Sequence, residues 1–190
     1  KSGTLKNNPI YEDIIQVIRM CPPIYSICLM LNEKGAIASV SGGDPLISHL
    51  NITEKVNEKY RIKIDTASDL VICSAGGYPK DINIIQTHKT IYNAYQAVKS
   101  GGVIICLAEC TDGIGSKTFM DWFRYSKDEL KINLFKKYSL NAQTAVSIME
   151  KAEKVKIILV SKMDAVLVKE MGMIPAKSID EAMRKAKTFL

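Results

Sequence analysis

The sequence predicts an α/β protein: a mostly parallel or mixed sheet flanked by helices in a Rossmann-like three-layer arrangement, preceded by an N-terminal helix plus β-hairpin. Three observations predict it. Short apolar runs of buried-strand type alternate with long helical patterns through the later part of the chain, as βαβ crossovers require. One run, Leu70-Val71-Ile72-Cys73, passes straight into Ser74-Ala75-Gly76-Gly77, and α/β proteins bring backbone close to ligands at such turns. Earlier, the apolar segments 24–31 and 36–40 are separated by Asn32-Glu33-Lys34-Gly35, a glycine-containing turn that reads as a hairpin. With 190 residues, 47% hydrophobic and 24% charged, the chain can bury one good core, so one domain is the economical reading.

The elements follow in order. Residues 9–20 carry Ile10, Ile14, Ile15 and Ile18 at helical spacing, with Glu12-Asp13 early, where acidic groups suit the helix dipole. After the hairpin, Gly42-Gly43-Asp44-Pro45 breaks the strand and opens a helix to about Lys59, with Asp44 as cap and Pro45 in the first turn. Buried-strand candidates are 61–64, 70–74, 103–108 and 157–160. Between the last two lie helix-like segments 117–125, 127–137 and 142–154, an unusually long connection. The chain closes with a helix near 182–190, before which Ser178 and Glu181 have capping-box spacing.

Composition narrows the function. The formal charge is +6, yet the basic residues are scattered without an aromatic-interleaved stripe, which disfavours nucleic acid. No apolar run reaches membrane-span length and no signal peptide opens the chain, so a cytoplasmic protein is the expectation. The five cysteines are an odd number, three of them inside apolar runs, which points to a reducing compartment. Cys106 and Cys110 have no nearby histidine to complete a zinc set, so no metal site is expected from this chain alone.

The candidate chemistry gathers around the glycine pair. Gly76 and Gly77 are read as delivering the chain into a helix whose free N–H groups suit an anion, with Tyr78 beside them and Asp81 as the helix N-cap. On that helix Gln86 and Lys89 stand three residues apart and share one face, where an amide and an ammonium can meet one carboxylate-bearing ligand. Ile84, His88, Ile91, Tyr95 and Val98 trace the opposite, apolar stripe, which makes His88 a packing histidine. Glu109, Asp112 and Gly113 follow the 103–108 strand and reach the same sheet edge, either as a carboxylate pair and backbone nest or as a tight turn capped by Asp112. Trp122 is expected to pack against the sheet.

Four motifs in series, Gly3-Thr4-Leu5-Lys6-Asn7-Asn8-Pro9, Ser41-Gly42-Gly43-Asp44-Pro45, Ser74 to Asp81 with Gln86 and Lys89, and Ala108-Glu109-Cys110-Thr111-Asp112-Gly113-Ile114-Gly115, resemble the C-terminal domain of the nickel-dependent lactate racemase family. The resemblance implies racemisation or epimerisation of a small 2-hydroxy acid by hydride removal and return, using a nickel pincer nucleotide. It also implies that the acid/base histidines, the cofactor-bearing lysine and the nickel-ligating histidine belong to an N-terminal domain that would be this chain's partner and would anchor the cofactor. No catalytic residue and no metal ligand is then expected here. Gln86 and Lys89 take the family's substrate-binding positions, with Gly76, Gly77, Tyr78, Ile85, Glu109, Asp112 and Gly113 as cleft-lining candidates. The chain departs from the pattern at Ile85, where relatives often carry an aromatic, and at Asn141-Ala142-Gln143-Thr144, where they commonly read glycine, any residue, histidine and lysine. Two alternatives stand beside this reading: a non-catalytic nucleotide- or anion-binding module, and a scaffold domain with a decayed site.

Overall fold

Asn8 opens the first helix of the computed structural model, which describes residues 4–190; Gly3, at the head of the first motif, lies outside the described residues. The Asn8 side chain accepts the Ile10 N–H and Pro9 supplies the first helical φ, fixing α1 (Pro9–Met20). The chain forms two compact units, Lys1–Lys63 and Ile64–Leu190.

In the first unit β1 (Ser26–Leu31) and β2 (Ile37–Gly43) pair antiparallel. The Asn32 side chain closes the turn by accepting the Lys34 and Ala36 N–H groups, and Gly35 takes the left-handed conformation there. The second strand runs on through Gly42-Gly43 rather than breaking at them. Asp44 then caps α2 (Pro45–Tyr60) through the Leu46 and Ile47 N–H groups, as its position before Pro45 implies. That helix packs on the hairpin: Tyr60 donates to the Leu31 carbonyl at 2.7 Å and Lys55 to Ser39 Oγ at 2.9 Å. Residues 61–64 are not a strand, contrary to expectation. Arg61 is the C-cap of α2, Ile62 is left exposed, and among the described residues no strand forms a ladder with this segment.

The second unit contains β3 (Ser68–Ser74), α3 (Ile84–Ala94), β4 (Val98–Leu107), a 3₁₀ turn (Met120–Arg124), α4 (Lys127–Lys136), α5 (Ala142–Lys154), β5 (Lys156–Val160), α6 (Ala165–Glu170), β6 (Ile174–Ala176) and α7 (Ile179–Ala186). Its four strands are parallel in the order β3-β4-β5-β6. Alternation sorts the side chains into two layers. Ile104, Cys106, Ile157 and Leu159 face α3, α5 and the 3₁₀ turn; Val103, Ile105 and Ile158 face α7. The expected parallel α/β sheet with helices on both faces is therefore present.

Trp122 packs as expected: it is buried, donates from Nε1 to Ser139 Oγ at 2.8 Å and meets Tyr125 edge-on. Segment 117–125 forms a 3₁₀ turn instead of an α-helix. At the last helix Ser178 accepts the Glu181 N–H, but Glu181 reaches the Lys177 N–H rather than that of Ser178; the reciprocal capping box occurs at Ser126 and Glu129.

Candidate functional site

At the carboxyl edge of the sheet the loops after β3 and β4 are stitched together. The buried Asp81 is not the N-cap of α3. Its Oδ2 accepts the Glu109 N–H at 2.9 Å and its carbonyl accepts the Cys110 N–H at 2.9 Å. Farther along, Ile82 O accepts the Asp112 N–H at 2.8 Å, and the Ile84 N–H donates to Gly113 O at 3.0 Å. The loop after β5 joins them: the Lys162 N–H donates to Glu109 O, and the Lys162 ammonium pairs with the Glu109 carboxylate.

Asn83 starts α3. Its Oδ1 accepts the Gln86 N–H at 3.0 Å while its Nδ2 donates to Asp112 Oδ2 at 3.3 Å. The glycine pair therefore does not hand over directly to the helix, since residues 78–83 intervene, and the Ile84 and Gln86 N–H groups are consumed within the protein. Gly115 makes room for this cap: it sits at φ +71°, and a Cβ there would fall 2.5 Å from Asn83 Nδ2. Gly76 and Gly77 also have positive φ, and the Lys80 side chain curls over Gly76, its Cδ 3.4 Å from where a Cβ would stand.

Gln86 and Lys89 are brought together. Lys89 Nζ donates to Gln86 Oε1 at 2.7 Å, with Lys89 exposed and Gln86 half-buried. This bond takes one of the two lone pairs of the amide oxygen. What remains on offer is mainly the Gln86 NH₂ and the other ammonium protons, a donor-rich surface with one positive charge. Such a surface complements a carboxylate or an oxyanion.

The other face of α3 carries a separate polar cluster. His88 Nε2 lies 3.1 Å from Ser147 Oγ on α5, and the largely buried Lys151 donates to Ser147 O at 3.1 Å and Ser147 Oγ at 2.5 Å. The ammonium also sits over the rings of Tyr92 and Tyr95. Burial, and next the Lys151 and Lys89 charges, push His88 down to about 4; burial lowers Lys151 as well. His88 is thus neutral, and its hydrogen bond with Ser147 joins two helices.

Among the other expected site residues, Tyr78 is exposed near the end of β3, whereas Ile85 packs partly against the core. Glu109, Asp112 and Gly113 are occupied in fastening the loops to one another and to α3. Asp81 as a staple and Asn83 as a cap escaped the sequence reading. The spacing of Asn83 and Gln86 is the helix-start pattern that would have found the cap. A groove of about 830 Å³ lies elsewhere, between residues 125–134, the 146–154 part of α5 and residues 170–172, and neither Gln86 nor Lys89 lines it. Among the described residues no group of three or more His, Cys, Asp or Glu is arranged to hold a metal ion, and no helix is long and apolar enough to cross a membrane.

A family model described as the lactate racemase C-terminal domain matches residues 63–190. The whole chain aligns at 33% identity with a lactate racemase of Thermoanaerobacterium thermosaccharolyticum, covering 46% of it. Over 98% of the chain it aligns at 30% identity with a lactate racemase of Lactiplantibacillus plantarum, covering 45% of that protein. The chain therefore spans about half the length of these relatives. Among solved structures, the lactate racemase apoprotein from T. thermosaccharolyticum superposes with a TM-score of 0.90 at 31% identity, over 99% of this chain and 46% of that one. A Thermotoga maritima protein shares the fold, with a TM-score of 0.60 at 14% identity over 90% of this chain and 48% of that one.

Proposed function

The chain belongs to the lactate racemase C-terminal domain family, and we propose that the Gln86–Lys89 face of α3 binds the carboxylate end of a small 2-hydroxy acid in a racemase or epimerase. The enzyme would be completed by the half of the architecture that this chain does not span. The observation that carries this reading is the 2.7 Å bond that holds the Lys89 ammonium and the Gln86 amide together as one donor-rich, positively charged pair. A 2-hydroxy acid presents acceptors at its carboxylate, and a 2-keto acid adds another at C2.

In this proposal Lys89 neutralises the carboxylate and the Gln86 NH₂ donates to a second oxygen, so that C2 is held while its configuration is inverted. Hydride removal and return is chemistry that a nickel pincer nucleotide supplies when bound. The described residues of this chain offer no metal-ligand group, so they do not fit the nickel itself, and no step is assigned to them beyond holding the acid. Glu109, Asp112 and Gly113 serve by fixing the start of α3, which sets where Gln86 and Lys89 stand.

The test uses the complete racemase. Lys89→Ala is expected to lower kcat/KM by about 10- to 100-fold, the range for losing a charged hydrogen bond, with partial recovery in Lys89→Arg. An unchanged kcat/KM would remove the assignment.

A further inference from the structure

We propose that the bare apolar face of the β1–β2 hairpin is a docking surface for the half of the lactate racemase architecture that this chain does not span. The inference rests on the reading that such a half completes the enzyme, and it adds where that half is gripped.

The hairpin has two faces of unlike environment. Cys28 and Met30, with their register partners Ser41 and Ser39, are more covered, and α2 packs on the hairpin. On the other face Ile27, Leu29, Leu31, Ile37 and Val40 are each between 51% and 67% exposed. They are not scattered: Leu29 pairs with Val40 and Leu31 with Ile37, so one continuous β-branched and leucine surface faces solvent. Among the described residues the sheet has two strands, so each also presents a backbone edge that a further strand can extend. In the same unit α1 has no buried residue and exposes Ile10, Ile14 and Val17 at helical spacing.

The comparisons supply the argument for the occupant. The C-terminal-domain model begins at residue 63, at the boundary of the two units, yet the T. thermosaccharolyticum racemase aligns across the entire chain. The hairpin unit therefore corresponds to lactate racemase sequence outside the C-terminal domain. Its apolar face has the composition of a domain interior cut open, and the remainder of that other domain is the surface that would close it.

The test joins the part of the T. thermosaccharolyticum racemase that precedes its aligned region ahead of Lys1 and follows amide hydrogen exchange over residues 26–43. Expected is protection at least about tenfold greater in the fusion than in the 190-residue chain, with β4 amides unchanged. Leu29→Lys is expected to remove that gain. Because a lysine there can disturb the fusion generally, Leu29→Thr is measured beside it, and Trp122 fluorescence reports that the second unit stays folded. Equal exchange in the two proteins would overturn the proposal. So would sedimentation showing that the chain alone dimerises through the hairpin and that Leu29→Lys makes it monomeric. The readout is independent of catalysis: loss of racemisation with hairpin protection retained would count against the Gln86–Lys89 assignment instead.

Discussion

The two units of this chain are built from similar residues and bury them very differently. In Ile64–Leu190 the central strands are enclosed: Val103, Ile104, Ile105 and Cys106 have no exposed surface, Ile84, Ile91, Ala145 and Ile148 close over Ile104 and Cys106 from α3 and α5, and Ala182 and Ala186 of α7 close over Val103 and Ile105. In Lys1–Lys63 only Met30 and Ile52 are buried among the described apolar residues. The first unit therefore draws far less stabilisation from buried apolar side chains than the second. Apolar content by itself does not make a domain; the apolar faces must also meet.

The largest test of this contrast is a cavity. Ile158, fully buried on β5, is expected to cost about 3–4 kcal/mol when replaced by alanine, while Leu29→Ala on the hairpin stays within about 0.5 kcal/mol. Urea denaturation of the two variants measures both. A large loss at Leu29 would mean that the hairpin is already anchored within this chain.

Next comes a comparison of glycines. At Gly115 a methyl group meets both a left-handed backbone and the Asn83 cap at 2.5 Å, so Gly115→Ala is expected to lose about 2 kcal/mol as the cap is displaced. Gly35 also has positive φ but nothing within 4 Å, so Gly35→Ala meets the backbone penalty alone, about 1 kcal/mol, confined to the hairpin. Thermal melts followed at Trp122 are expected to detect the first and miss the second.

The smallest expected effect depends on pH. His88 is packed beside Ser147 and Lys151 of α5, and Tyr92 and Lys89 of its own helix, and its pKa falls from 6.5 to about 4. Between those values the unfolded chain binds the additional proton. Stability from this group is thus complete above about pH 6.5 and declines as pH falls towards about 4. With solvent screening of a partly exposed ring the loss is about 1–2 kcal/mol. Denaturation midpoints measured across that range are expected to slope in the native protein and flatten in His88→Gln.

What could be read from the sequence follows the same division. The β3–α3–β4 order was legible because long apolar runs and a glycine pair have few alternatives, although α3 is capped by Asn83 rather than Asp81 and Val98, read on its apolar stripe, opens β4; α5 falls at 142–154 as its periodicity indicates. Capping residues located α2 equally well. The short elements were not legible: β6 has three residues including Pro175, which a strand at the sheet edge tolerates, and α6 has six. Segment 61–64 has the side chains of a strand but joins neither sheet among the described residues, and strand pairing is a tertiary fact. Within the site, the closeness of Gln86 and Lys89 followed from helical spacing. The roles of Asp81 and Asn83 depend on bonds to residues 109 and 112, which adjacency in sequence does not reveal.

The most direct measurement compares residues 64–190, expressed alone, with the 190-residue chain in urea, following the single tryptophan, Trp122. The two are expected to unfold cooperatively at the same midpoint, because the residues that form the core around β4 and β5 all belong to the second unit. A shortened protein that is unfolded, or that melts at markedly lower urea, would contradict the account.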